Sequence, residues 1–389
     1  MSELVALDMA LGPLMVDRIR RAHDRGHAVC VIDQRLAPSR RDEVVAALAP
    51  TLIVDGAGNE TSWPGRPCET GDGLVVPTSG TSGPFKAAVL TWSAVIASAE
   101  MTSLELYRGR PTVWNACLPP SHVGGFAVLA RSIFTDDSLA WGDPRHLDEG
   151  PSLGASHVAV VRPQLHRFDL SGYRVVLLGG SRPPSDLPSN VVTTWGMTET
   201  GSGVVYNGWP LNNVEVAAHD GELIVRSPTL LRAYRDAPAE FVSGPDGRHG
   251  WFATGDAGEV VDGEVRVFGR LQYVVTTGGE KVWPDDLEAV VSLVDGVDDV
   301  AVIGVDDVEW GQRIVAFVVA DEPSARLFEM IEEIASERIG PWAKPKEIRT
   351  VDAVPRTDNG KVRRDVLAAM VQVTAPEPRD IEPPSTTTV

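Results

Sequence analysis

The sequence predicts an α/β protein: a large N-terminal domain of βαβ layers with an added β subdomain, and a small α+β C-terminal domain. Three observations carry this. Through about the first 200 residues, amphipathic helical segments alternate with short apolar strands, the pattern of parallel βαβ units. From about residue 213 the rhythm changes to alternating strands separated by Asp–Gly pairs, a strong short hairpin signal. A second break in composition follows Arg270. The length of 389 residues agrees, since it exceeds what one hydrophobic core serves.

Taken in order, GPLMVDRIRRAHDR (12–25) reads as a helix stopped by Gly26, and HAVCVID (27–33) as a buried strand. RRDEVVAALAP is a second helix closed by Pro50, followed by the strand TLIVD (51–55). The segment 92–106 is helical; 157–161, 174–179 and 190–196 are strands. The β subdomain occupies about 210–269, with hairpins at Asp220–Gly221 and Asp262–Gly263. Beyond it come a strand (YVVTTG), a helix opened by Pro284, strands near 299–305 and 313–320, and an amphipathic helix ended by Gly340–Pro341. The expected domains are thus 1–269, a link at 270–272, 273–372, and a Pro- and Thr-rich disordered tail at 373–389.

Composition excludes several classes. Apolar residues make up 43%, as in ordinary globular proteins. A formal net charge of −19 argues against nucleic acid and anionic membranes as partners. Cys30, Cys68 and Cys117 lie far apart, without metal-ligand spacing, which fits a reduced cytoplasmic setting. The N-terminus lacks the order of a signal peptide, and no apolar run approaches the roughly 20 residues of a membrane span. A homodimer is neither required nor excluded.

Four segments carry candidate chemistry. In VVPTSGTSGPFKAAVLTW (75–92), small hydroxyl residues among glycines let N–H groups and hydroxyls converge on an anion, with Lys86 adding charge. It is not a Walker loop, because the GK[ST] ending is absent and a strand follows. In TTWGMTETGSG (193–203), Glu199 is suited to Mg²⁺, which takes oxygen ligands shared with phosphates, and Trp195 to a flat base. In GWFATGDAGEV (250–260), Asp256 follows a Thr–Gly turn, where a carboxylate accepts from paired hydroxyls. In VPRTDNGKVRRD (354–365), Lys361 lies on a polar loop, suited to neutralising phosphoryl charge. Each segment alone is equally an ordinary turn, strand end, ion pair or exposed lysine.

In this order and at these separations the segments resemble one family, the acyl-adenylate-forming enzymes. TSGTSGPFK looks like its phosphate loop, GGSRPP (179–184) and WGMTE its adenine and Mg²⁺ segments, and FATGD its ribose-binding aspartate. GRLQ looks like its hinge, TTGGEKVWPDDLE its thioester-step loop and PRTDNGK its catalytic-lysine loop. The resemblance implies an ATP-dependent acid–thiol ligase that forms an acyl-adenylate and then an acyl-CoA. Its substrates would be ATP with Mg²⁺, a small carboxylic acid and coenzyme A. By it, Thr78, Ser79, Gly80, Thr81 and Lys86 would hold phosphates, and Gly180 and Trp195 would flank adenine. Thr198 would contact the α-phosphate, Glu199 the Mg²⁺, and Asp256 and Arg270 the ribose. Lys361 would bridge the acid carboxylate and the α-phosphate. The small domain would be mobile, rotating about the hinge to bring Gly278 and Gly279 to the site for thiol attack. Two positions depart from the family. Gln272–Tyr273 replaces a pair of aspartates at the hinge, and Phe85 separates Lys86 from the loop's proline.

The short region before the phosphate loop is similar to that of the o-succinylbenzoate–CoA ligases of menaquinone biosynthesis, as are 31–55, 114–133 and 158–168. That acid carries a second carboxylate, which needs a cationic or hydrogen-bonding partner. His122 and Arg131 are the candidates. They lie nine residues apart, about two and a half helical turns, and are expected to reach one pocket wall. Alternatively His122 packs in the interior and Arg131 is a surface charge. Other aryl- or acyl-CoA ligases, or an adenylation enzyme loading a carrier-protein thiol, would share every nucleotide motif.

Overall fold

The computed structural model describes residues 2–78, 86–107, 109–180, 182–184, 186–357 and 360–373. The chain divides into two compact units. The first runs to Gln272 and takes in Gly360 and Lys361; the second begins at Tyr273, runs to Thr357 and resumes at Val362. No helix among the described residues is long and apolar enough to cross a membrane.

The first unit is built on three sheets among the described residues. In one, the order is Ala233–Tyr234, Lys86–Thr91, Asp72–Thr78, Ala28–Val31, Leu4–Asp8, Leu52–Asp55, Glu60–Ser62. Its centre is parallel, with Leu4–Asp8 paired to both Ala28–Val31 and Leu52–Asp55, and its edges are antiparallel. A second seven-stranded sheet runs Trp209–Pro210, Ser202–Tyr206, Val191–Met197, Val175–Gly179, His157–Val161, Val113–Asn115, Ser138–Ala140. Helices Trp92–Leu106 and Val123–Phe134 pack on each other, and the former touches strands of both sheets. Their sequences are apolar on most faces, as a helix buried between layers requires. The Thr91 hydroxyl caps the first of them, accepting from Ala94 N–H at 3.1 Å.

The third sheet joins the hairpin Glu215–His219/Glu222–Arg226 to the long strand His249–Val261, flanked by Phe241–Ser243 and Glu264–Arg270. Both Asp–Gly turns are tight and left-handed: Asp220 and Gly221 have φ of 53° and 81°, Asp262 and Gly263 of 52° and 89°. One local expectation fails here. Thr254–Gly255–Asp256 is not a turn but lies inside the strand His249–Val261, where Gly255 at φ 73° kinks the chain beside a register shift at Ala257/Gly258. The turn chemistry of Thr–Gly is used as a strand irregularity.

The second unit is a five-stranded sheet with helices Pro284–Val291, Ala325–Arg338 and Arg364–Val373. Its core is held by Leu287, Val302, Ile314, Val318 and Ile331 on one face and by Phe317 and Leu367 on the other. The helix Arg364–Val373 runs one residue into the expected tail, because Leu367 and Val371 continue an apolar stripe onto the sheet; residues 374–389 lie outside the described residues.

Candidate active site

Thr78 and Lys86 end two antiparallel strands and face one another, the Thr78 hydroxyl donating to the Lys86 carbonyl at 3.1 Å. Ser79, Gly80 and Thr81, assigned to the same phosphate loop, lie outside the described residues, as does Phe85. The strand from Lys86 pairs with Ala233–Tyr234 on its other side, Tyr234 opposite Ala88. The Lys86 ammonium stands 5.4 Å from the centre of the Tyr234 ring.

Thr198 and Glu199 form a single 3₁₀ turn after the strand Val191–Met197. Buried Thr200 fixes that turn, its hydroxyl donating to the Ser202 carbonyl at 2.7 Å and accepting from Met197 N–H at 2.9 Å. Leu231 N–H donates to the Glu199 carbonyl at 2.8 Å. The Tyr234 hydroxyl donates to Glu199 Oε1 at 3.1 Å. Burial, and then the Glu199 carboxylate, push the Tyr234 phenol up, so it stays a donor.

Asp256 is 7% exposed and is no surface ion pair. Trp195 Nε1 donates to its Oδ2 at 2.8 Å, and Arg270 Nε pairs with its Oδ1 at 2.9 Å. Register explains the second contact, since Asp256 and Arg270 are direct cross-strand partners. Arg270 Nη1 also donates to the Thr254 carbonyl at 2.9 Å. Gly180, at φ 86°, follows the strand Val175–Gly179, the parallel neighbour of the strand bearing Trp195. Lys361 belongs to this unit by its contacts. Its chain is exposed, yet the protein around its ammonium lowers its pKa, first by desolvation and then through Arg270; Glu199 and Asp256 oppose the shift. Lys361 thus feels the charges of Glu199, Asp256 and Arg270, from segments as far as some 160 residues away, counting from Glu199 to Lys361.

His122 precedes the helix Val123–Phe134, with Nε2 4.0 Å from Asp33 Oδ2. Arg131 is 2% exposed, not a surface charge, and its guanidinium lies 4.4 Å from the Trp114 ring. His122 stands in extended backbone at φ −111° and ψ 147°, before the helix that carries Arg131, so helical spacing does not set the angle between the two. Burial lowers the Arg131 pKa, with Tyr206 and Asp137 opposing, and its Nε and Nη1 have no hydrogen-bond partner among the described residues. In the second unit, Gly278 and Gly279, at φ 58° and 87°, make a two-residue hairpin turn between Val275–Thr277 and Glu280–Val282. Gly278 N–H donates to the Trp310 carbonyl at 2.9 Å.

The AMP-binding enzyme C-terminal domain matches residues 286–361. A Mycobacterium tuberculosis protein named probable 2-succinylbenzoate–CoA ligase is 33% identical over 323 residues, spanning 76% of this chain and 83% of the relative. The chain belongs to the AMP-binding acid–CoA ligase family. A 2-succinylbenzoate–CoA ligase from Listeria monocytogenes is 32% identical over 342 residues, 75% of this chain and 69% of its own length. The fold matches o-succinylbenzoate CoA synthetase from Bacillus subtilis, solved with its acyl-adenylate, at a TM-score of 0.78 and 21% identity, covering 94% of this chain and 88% of that one.

For a member of this ligase family, the donor set suits a magnesium ion carried by the nucleotide. No cluster of three or more His, Cys, Asp or Glu side chains forms a protein cage among the described residues. Mg²⁺ is commonly held by one or two carboxylates plus phosphates and water, and Glu199 is a carboxylate that would suit that role. Sequence reasoning missed Tyr234 and Asp33. Asp33 lies two residues past the strand Ala28–Val31 and accepts from Ser121 Oγ at 3.0 Å. Against the push of burial, Arg35 and Ser121 hold its carboxyl down to about 2. Neither residue sits in a glycine-rich or charge-patterned segment; only the pairing of distant strands reveals them.

Proposed function

We propose that this chain activates o-succinylbenzoate as its acyl-adenylate and transfers the acyl group to coenzyme A. The observation that carries the reading is the Asp256 carboxylate held between Trp195 and Arg270, in the unit to which Glu199 and Lys361 also belong. The names of the Mycobacterium and Listeria relatives support the choice of acid.

In the first half-reaction a carboxylate oxygen of the acid attacks the α-phosphorus of ATP, and the bond to pyrophosphate breaks. Asp256 and Arg270 hold the ribose, Trp195 and Gly180 flank adenine, and Thr78, Ser79, Gly80, Thr81 and Lys86 hold the β- and γ-phosphates. Lys361 and Thr198 meet the charge on the α-phosphate. Glu199, together with the phosphates, would hold Mg²⁺, and the ion would supply charge neutralisation. Positioning and electrostatics carry such a step. In the second half-reaction the thiol of coenzyme A loses its proton and attacks the acyl carbonyl, and the bond to AMP breaks. Gly278 and Gly279 give the thiol a turn without side chains.

Arg131 bears on the acid. A buried guanidinium with two unpaired N–H groups is costly alone and is relieved by a carboxylate. We assign it, with His122, to the acid's second carboxylate. A pyrophosphate-release screen over candidate acids, with and without coenzyme A, tests the reading. o-Succinylbenzoate is expected to give coenzyme A-dependent AMP. If another acid does so and o-succinylbenzoate does not, the substrate is wrong; if a carrier-protein thiol replaces coenzyme A, the acceptor is wrong. Arg131→Met is expected to raise KM for the acid at least about tenfold with KM for ATP unchanged. Lys361→Ala is expected to lower adenylation by a factor of about 10² or more.

A further inference from the structure

The segment 231–235 lies outside every motif assigned above, yet it stitches two of them together. Leu231 N–H donates to the Glu199 carbonyl at 2.8 Å, Arg232 N–H to Val89 at 2.8 Å and Arg235 N–H to Ala87 at 2.7 Å. The flanking arginines lock it in place. Arg232 makes a two-pronged pair with Asp72, which is 1% exposed, at 2.7 and 3.0 Å, and reaches Glu69 at 2.9 Å. Arg235 donates to the carbonyls of Leu48, Pro67, Ala49 and Arg66 and to Cys68 Sγ. Between these anchors stands Tyr234, its hydroxyl on Glu199 Oε1 at 3.1 Å and its ring 5.4 Å from the Lys86 ammonium.

We propose that Tyr234 is a positioning residue for the nucleotide's metal and phosphates: its hydroxyl fixes one oxygen of Glu199, and its ring seats Lys86. A carboxylate on a short turn has free rotamers, and a donor held by two anchored arginines removes them before ligand arrives. A lysine over an aromatic face is likewise held near its working position without losing its charge. The rest of the Glu199 carboxylate stays available as an oxygen ligand. The proposal rests on the reading of Glu199 and Lys86 as the metal and phosphate contacts.

The test is ATP binding to the full chain by calorimetry, without acid, so that nothing turns over. Wild type, Tyr234→Phe, Tyr234→Leu and Glu199→Gln are each titrated with Mg²⁺–ATP and with ATP in EDTA. Tyr234→Phe is expected to weaken Mg²⁺–ATP about tenfold and metal-free ATP by less than about twofold. Its Mg²⁺ requirement for half-maximal adenylation rises, while KM for the acid holds. Tyr234→Leu, which also removes the ring, is expected to weaken metal-free ATP as well. Equal loss for both forms of ATP in Tyr234→Phe would mark a merely structural role and overturn the proposal. So would Mg²⁺–ATP binding as tight as wild type while Glu199→Gln loses it. If Glu199→Gln also binds Mg²⁺–ATP normally, the assignment of Glu199 itself falls, and the proposal with it.

Discussion

In the role proposed for Lys361 its positive charge is what acts, and the alkaline limit of adenylation would then belong to it. Desolvation and the Arg270 guanidinium both lower its pKa, and the charged form is therefore lost at a lower pH than for a free lysine. Adenylation is expected to fall as pH rises through that value. Arg270→Met removes a neighbouring positive charge, so it should move the alkaline limb upward even while ribose binding weakens. A pH profile of pyrophosphate release in the two proteins measures this; an unmoved limb would show that Arg270 does not act on Lys361. The identity of these two residues was legible from GRLQ and PRTDNGK. Their mutual effect was not, because it depends on a pairing of Asp256 with Arg270 that only strand register fixes. The same holds for Arg131: its spacing from His122 could be counted in the sequence, but its burial against Trp114 could not.

Among the elements, the helix Arg364–Val373 begins three residues after Lys361. Arg364 fastens its first turn, with Nη2 2.7 Å from Glu288 Oε1 and 2.9 Å from Asp285 Oδ1, Nε 3.2 Å from the Val302 carbonyl, and its guanidinium 4.9 Å from the Tyr273 ring. Both ends of the Glu288 pair are largely buried, with side-chain exposures of 12% and 13%. Removing one partner of such a pair strands the other, so Arg364→Ala is expected to cost about 3 kcal/mol. Burial also pushes the Glu288 carboxyl up to about 7, against Arg364 and the Val302 N–H. A folded-state pKa above the unfolded one means that this contribution is full below pH 4.5 and is lost as pH rises to about 7. Amide exchange along Pro284–Val291 should therefore quicken over that window, and Glu288→Gln should flatten the dependence. Neither feature was readable beforehand. The sequence showed where the second unit begins and most of its strands, but the helix after Lys361 was hidden by the charged run VRRD at its start. The central strand Leu4–Asp8 was hidden too, as a brief apolar stretch before an obvious helix. Hairpins were legible because Asp–Gly dictates the backbone by itself; strand order was not, because it is decided by burial of whole faces.

At the scale of the molecule, the three cysteines share one property that follows from layering. Cys30, Cys68 and Cys117 all lie in the first unit, each packed inside a core cluster. Desolvation pushes the Cys68 thiol up to about 11 and that of Cys117 to about 12, and drives Cys30 upward as well, helped by Cys68. The thiolate is the reactive species, so these groups are protected both by access and by protonation. Reaction with a water-soluble thiol reagent must wait for opening of the layers around them. A domain stable by about 5 kcal/mol or more is open less than about one part in 10³, so labelling of the native chain at neutral pH should be at least 10³-fold slower than labelling in urea. In urea all three thiols should react. The comparison reads the opening of the first unit alone, since the second contains no cysteine. Saturating ATP with Mg²⁺ binds the folded form and should slow labelling further, in proportion to one plus ligand over Kd. A thiol that reacted in the native chain at the rate of a free cysteine would mean that its layer is not packed as described. If ATP left labelling of all three unchanged, the nucleotide would not bind the unit that carries Asp256, Trp195 and Glu199.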